Sequence, residues 1–243
     1  MSIVTFPKTD VAKEPAPQQK KIVVTVDGPA ASGKGTLARK IAERLGYAYL
    51  DTGALYRAVA LAALEMGSDP SKIRDVKPAI DIVLRNLTME LLASPALRRP
   101  EVSEAASKVA ALPEVRQALL DFQRDFAENP PGDVGGAVLD GRDIGTVVCP
   151  DADVKFFITA NPEARAQRRL KELQWHHPLM TLEKVLADML HRDQRDSGRE
   201  LAPTYPADDA YLFDTTKLSA EEVLDSAIYT VQKKLINATN ENK

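Results

Sequence analysis

The chain has a single cysteine, Cys149, in 243 residues, so no disulfide can form within it and an oxidising compartment is not required. No apolar run approaches the roughly 18 residues that a membrane-spanning helix needs. The first residues also lack the continuous apolar stretch of a secretory leader, which leaves the cytoplasm as the expected compartment. An excess of basic charge is missing too: 32 Lys and Arg stand against 35 Asp and Glu, a formal net charge of −3. A mildly acidic chain is poorly suited to wrapping a nucleic-acid polymer, though a locally basic cleft can still hold a small anion. Histidine is scarce as well. His176, His177 and His191 make no metal set, because adjacent histidines do not readily share one tetrahedral ion and no cysteine lies near. No protein-held metal, no membrane and no polymer partner are expected, and the chain reads as a monomer.

What is present is an ordinary globular balance, 44% hydrophobic and 28% charged, over a length that fits one α/β core with insertions. Residues 1–20, with Pro15, Pro17, Gln18 and Gln19, read as a disordered polar tail, and residues 21–243 as one domain. Ile22–Asp27 is a β-branched run without polar alternation, which suits a strand buried on both faces. A helix follows with Leu37, Ile41 and Leu45 on one stripe and Gly46 at its end. A short strand over Tyr47–Leu50 leads into an Ala-rich helix from about Thr52 to Met66. Residues 67–130 read as helical, broken by Pro70, Pro78, Pro95, Pro100 and Pro113, with room for little more than one strand at Met89–Leu92. Strands return at Ala137–Asp140 and Val154–Ile158. Asn161-Pro162-Glu163 starts a helix, Thr181 caps another, and Ser219 with Glu222 forms a capping box after a strand at Tyr211–Phe213. Alternating strands and helices imply a doubly wound parallel α/β sheet, carrying a mostly helical insertion at about 67–130.

Chemistry enters at Gly28-Pro29-Ala30-Ala31-Ser32-Gly33-Lys34-Gly35-Thr36, which has the G-x-x-x-x-G-K spacing of a phosphate loop, with a strand before it and a helix after. Glycines allow consecutive N–H groups to turn inward at a helix N-terminus, and Lys34 adds a point charge for the terminal phosphates. A hydroxyl directly after the lysine would ligate Mg²⁺, but Gly35 stands there and Thr36 comes one residue later.

A second anion is suggested by arginines elsewhere. Arg57 lies within the helix that follows Asp51-Thr52, where Thr52 reads as the N-cap. It suits either a ligand or a surface position beside an apolar stripe. Asp140-Gly141-Arg142-Asp143 follows a strand, at the edge where open parallel sheets bind ligands. On the helix from Thr181, the stripe Leu182, Val185, Leu186 and Met189 is continued by Arg192, Asp196 and Arg199. Charges that take over a buried stripe must face a ligand or one another.

Together these segments, with Glu104-Ala-Ala-Ser107 and Pro113-x-Val-Arg116, resemble bacterial cytidylate kinases, in the order of that family and over nearly everything after residue 20. The Gly-Lys-Gly-Thr loop is similar to that of the nucleoside monophosphate kinases, which hold Mg²⁺ mainly through phosphates and water. The resemblance implies a P-loop kinase fold with a mobile lid at about 165–200, and transfer of the γ-phosphoryl group of ATP to CMP or dCMP. It implies that Gly28–Thr36 holds ATP, and that Arg57, Arg142 and Arg199 grip the acceptor phosphate and, with Lys34, carry the catalysis. Arg192 and Asp196 would face the sugar, while Ser107, Arg116 and Asp143 read the base. Thr52 supplies a hydroxyl where the family often has serine.

A lid must exclude water, and Arg165, Arg168 and Arg169 are its candidate arginines, with Trp175 as a candidate cover for a base. The rival readings are a P-loop kinase for another nucleotide, shikimate or dephospho-coenzyme A, and a nucleotide-binding regulatory module without transfer activity.

Overall fold

The computed structural model describes residues 21–174 and 177–241. The tail read over residues 1–20, together with Trp175 and His176, lies outside the described residues.

Five strands form one sheet: β1 (Ile22–Asp27), β2 (Ala48–Asp51), β3 (Gly136–Gly141), β4 (Val154–Thr159) and β5 (Tyr211–Asp214). Their order is β2-β3-β1-β4-β5 and every pair is parallel. The expected doubly wound sheet is therefore present. Its two faces are read alternately along each strand, as strand periodicity requires. Val24, Val26, Val138 and Phe156 pack with α1 (Lys34–Leu45) and α9 (Ala220–Glu241). Ala137 and Leu139 pack on the other face with Phe126 of α6 (Pro113–Glu128). Parallel strands place all their carboxyl ends at one edge, where Asp51 pairs with Asp140 in register and Asp27 stands opposite Gly141.

The segment after α2 (Thr52–Glu65) is helical throughout its described elements: α3 (Ile73–Arg85), α4 (Met89–Ala93), α5 (Pro100–Val109) and α6. These helices bury Leu55, Val59, Val76, Val102 and Leu119 in one cluster around α2. Two expectations need correction. Met89–Leu92 is a helix and not a strand, because Thr88 accepts from the Leu91 amide and both Leu91 and Leu92 pack toward the α2 cluster. Neighbouring side chains on a strand would point to opposite faces. Pro78 does not break α3. It is exposed in the helix, and the residue whose carbonyl loses its partner, Arg74, faces solvent. Pro100 and Pro113, by contrast, stand at the first position of their helices, where a missing N–H is harmless.

The remaining helices are α7 (Pro162–Gln174) and α8 (Leu182–Ser197). The sequence-based caps are observed: Asn161 accepts from Glu163, Thr181 from Lys184, and Ser219 and Glu222 bond each other reciprocally. Gly46 ends α1 with φ +66°.

At the sheet edge, Gly28 turns the chain from β1 into the loop with φ +149°, and a Cβ there would lie 2.1 Å from the Ile158 carbonyl oxygen. Backbone on both sides leaves no room to yield. Gly28→Ala is therefore expected to lower stability by roughly 3 kcal/mol, read from urea unfolding. An unchanged midpoint would show that the loop is not anchored against β4.

Candidate active site

A cleft of about 850 Å³ opens at this edge, between the loop on one side and α2, α5, α6 and α8 on the other. Ala30, Ala31 and Lys34 line it from the loop. Of the other loop residues, Ser32 is buried and bonded through its carbonyl to the Thr215 hydroxyl at 3.0 Å. Gly33 caps α1 with φ +93°, and Thr36 is exposed in the first turn. Gly28 and Pro29 form the approach from β1.

Thr52 and Arg57 reach the cleft from α2, Ser107 from α5 and Arg116 from α6. Arg142 and Asp143 come from the loop after β3, Arg192 and Asp196 from α8, and Arg199 from just beyond it. These residues, separated by up to about 150 positions in sequence, thus converge on one space. Thr52 does not act as the N-cap of α2. Asp51 does, accepting from the Ala54 amide at 3.2 Å, and the Thr52 hydroxyl instead donates to the Asp140 carbonyl at 2.8 Å. Asp51 is the stronger acceptor and precedes the first helical residue, so it takes the cap.

Asp196 is the hub of this part of the cleft. Its carboxylate accepts from Arg142 Nε at 3.1 Å, from Arg199 at 2.5 Å and from the Ser107 hydroxyl at 3.0 Å, with Arg192 Nε 3.8 Å away. Burial works to raise its carboxyl, but the surrounding arginines win and hold it below the usual carboxylate range. One carboxylate cannot neutralise three guanidinium groups, so the pocket keeps a positive field. Burial and then Arg142 push Arg192 down to about 10. The Nε atoms of Arg57, Arg192 and Arg199 are buried without a hydrogen-bond acceptor among the described residues. Buried donors left unused are costly unless a ligand takes them, and an anion fits.

Deeper in the cleft Arg116 pairs with Asp143, stacks 5.6 Å from the Tyr56 ring centre and donates to the Ala110 carbonyl. Asp143 is raised by burial even though Arg116, Arg199 and Arg142 pull it down. Arg57 is braced by Asp51 at 2.6 Å.

The lid arginines divide. Arg169 lines the cleft and pairs with Glu172. Arg165 is buried, bonded to Ala160, Ala30 and Asp193, and Arg168 is held by Thr215. The guanidinium groups of Arg165 and Arg168 thereby fasten the helix to the loop and to Thr215, just past β5. Cys149 is half-buried and burial pushes its thiol up to about 11, in keeping with a packing residue. No metal-binding group of His, Cys, Asp and Glu forms among the described residues.

Sequence reasoning gave no role to Asp27, Asp51 or Asp140, each at the carboxyl end of a strand. That placement was the available signal. Asp27 accepts from the Ile144 and Gly145 amides at 2.9 and 2.8 Å, pinning the loop that carries Arg142 and Asp143. Asp140 accepts from the Tyr49 hydroxyl at 2.8 Å, and its carboxylate would sit 3.2 Å from a Cβ on Gly35. Glycine at position 35 therefore leaves this carboxylate close to the loop where a hydroxyl would otherwise project. Burial and the nearby Asp51 push Asp140 up to about 6.

Comparison with known proteins identifies the family. A family described as Cytidylate kinase matches residues 24–233. The cytidylate kinase of Paramagnetospirillum magneticum is 51% identical over 212 residues, covering 87% of this chain and 98% of that protein. That of Rhodospirillum rubrum is 52% identical over 207 residues, covering 85% and 95%. That of Methylobacterium is 56% identical over 189 residues, covering 78% and 86%. Among solved structures, an uncharacterized protein from Eubacterium ventriosum superposes with a TM-score of 0.51 at 13% identity, over 87% of this chain and 99% of that one, a likeness of fold alone. With about half the aligned residues identical along nearly the whole length of such relatives, the chain belongs to the cytidylate kinase family.

Proposed function

We propose that the protein transfers the γ-phosphoryl group of ATP to CMP or dCMP, giving ADP and the cytidine diphosphate. The observation that carries this reading is the set of arginines around Asp196 opening into the same cleft as Lys34. Two phosphate groups a few ångström apart repel by about 4 kcal/mol per pair of unit charges at an effective dielectric of 20, so several guanidinium groups are needed to bring them together. Lys34 and the loop amides hold the donor. Arg57, Arg142 and Arg199 hold the acceptor phosphate in line with it, and Arg192 and Asp196 orient the sugar. The work is positioning and charge stabilisation, with no covalent intermediate on the chain.

Asp143 and Arg116 read the base. A carboxylate accepts from the cytosine N4 amine, and a guanidinium donates to its ring acceptors. Uracil presents a carbonyl at position 4, opposite a carboxylate. Mg²⁺ would be held mainly through the nucleotide phosphates and water, with Asp140 as the carboxylate beside the loop, and would supply neutralisation of phosphate charge. The reading places the protein in the cytoplasm as a monomer acting on small nucleotides, without a polymer partner. No helix of the described residues is long and apolar enough to cross a membrane.

Assays of ATP consumption with CMP, UMP, AMP and shikimate test the reading. CMP is expected to be turned over fastest by a wide margin. Equal turnover of the nucleotides would remove the base-reading role of Asp143 and Arg116, and transfer to shikimate alone would replace the proposal.

A pH effect follows from Lys34. Dense protein around it, then repulsion from Arg142, lowers its ammonium to about 7. Above that pH the ligand-free lysine loses its proton, and a bound polyphosphate restores it. ATP binding at pH 8 is therefore expected to take up a proton, seen by calorimetry as a binding enthalpy that varies with the ionisation enthalpy of the buffer. An enthalpy independent of buffer would contradict this.

A further inference from the structure

Asp193 and Arg165 meet the phosphate loop at Ala30 without lining the cleft, beside Arg168 at the Ser32 carbonyl. Asp193 lies on α8 between Arg192 and Asp196, turned about 100° from the first along the helix. Its carboxylate takes Arg165 of α7 at 2.5 Å and lies 3.4 Å from the Ala30 amide. The same Arg165 donates to the Ala30 carbonyl at 3.1 Å, and to the Ala160 carbonyl at 3.0 Å. Both polar backbone groups of one loop residue are thus held by side chains from two different helices. The pair is well removed from water, with side-chain exposures of 6% for Arg165 and 20% for Asp193, so it is stiffer than a surface ion pair. The next residue, Ala31, stands in the left-handed region at φ +54°, a conformation that a non-glycine residue keeps only when its surroundings hold it.

The loop therefore cannot shift without moving α8, and α8 carries Arg192 and Asp196 on the acceptor side. We propose that Asp193, with Arg165, is a positioning residue that couples the two nucleotide sites, so that an occupied phosphate loop fixes the acceptor-binding face of α8. This rests on the reading of the cleft as a site for ATP and CMP together. Coupling between two binding sites is reciprocal, so each nucleotide tightens the other by the same factor.

Calorimetric titration of CMP, with and without a saturating non-hydrolysable ATP analogue, tests it. In the wild-type protein the analogue is expected to tighten CMP binding by roughly fivefold or more. Asp193→Asn keeps the size of the side chain but sets an amide against the Arg165 guanidinium. It is expected to bring that factor to about one while the affinity for CMP alone is retained, and to raise the KM for CMP at saturating ATP more than it lowers kcat. A wild-type protein that binds both ligands without mutual effect overturns the coupling and leaves the proposed function standing, as does a variant that keeps the full factor. A wild-type protein that binds no CMP overturns the proposed function and the coupling with it. Hydrogen exchange on the wild type needs no variant at all: CMP alone is expected to slow exchange of the Ala30 amide, and unchanged exchange there overturns the inference even if Asp193→Asn does not fold.

Discussion

Lys34→Ala is expected to lower kcat/KM for CMP phosphorylation by about a thousandfold, the scale on which a single preorganised charge at the reacting group acts. Lys34 is the first residue of α1 and lines the cleft, and alanine is a good helix former there, so the fold is expected to stand. The ligand-free cleft keeps the ammonium poorly solvated beside Arg142, which is an unfavourable arrangement until a polyphosphate arrives. Losing it removes donor binding and the neutralisation of charge as the phosphoryl group moves. Steady-state rates with a thermal shift by ATP check this. Near-normal turnover in the variant would show that the loop amides and the arginines suffice.

Asp143→Asn is expected to shrink the preference for CMP over UMP by about a hundredfold, mainly through loss of CMP turnover and partly through gain with UMP. The carboxylate is an acceptor only, whereas the amide also offers a donor to the uracil carbonyl. The site is sheltered, with Arg116 and Asp143 side chains 12% and 6% exposed, so a mismatched polar group there has little water to turn to. The change also weakens the Arg116 pair, and its effect on unfolding has to be measured beside the kinetics. Parallel kcat/KM values for CMP and UMP decide the matter. An equal loss for both acceptors would make Asp143 a structural partner of Arg116 and not a reader of the base.

Much of the fold was legible because its signals are local. The β-branched Ile22–Asp27 run, the Asn161 and Thr181 caps and the Ser219–Glu222 box each act within a few residues, and all appear where expected. The residues that line the cleft were singled out through motifs and the family resemblance, and the stripe on α8 pointed to its charged continuation. What escaped depends on contacts across the chain. Where the Thr52 hydroxyl goes, once Asp51 caps α2, depends on a carbonyl 88 residues away, at Asp140. Arg165 and Arg168 read as lid candidates, and their bonds to Ala30 and Thr215 lie 135 and 47 residues away, beyond any local pattern. The Met89–Leu92 segment is too short for periodicity to decide, and the hydrophobic surface of α2 decided it as helix. Asp27, Asp51 and Asp140 looked like ordinary strand ends until the register set Asp51 against Asp140 and Asp27 against the neighbouring Gly141.

Binding of a bisubstrate analogue, adenosine and cytidine joined through five phosphates, probes the shared cleft most directly. One molecule spanning Lys34 and the Arg142–Arg192–Arg199 cluster is predicted to bind about a hundredfold or more tighter than CMP, and to displace ATP and CMP alike. An affinity no better than that of ATP, with CMP still able to bind alongside, would mean that the two nucleotides do not meet end to end in this pocket.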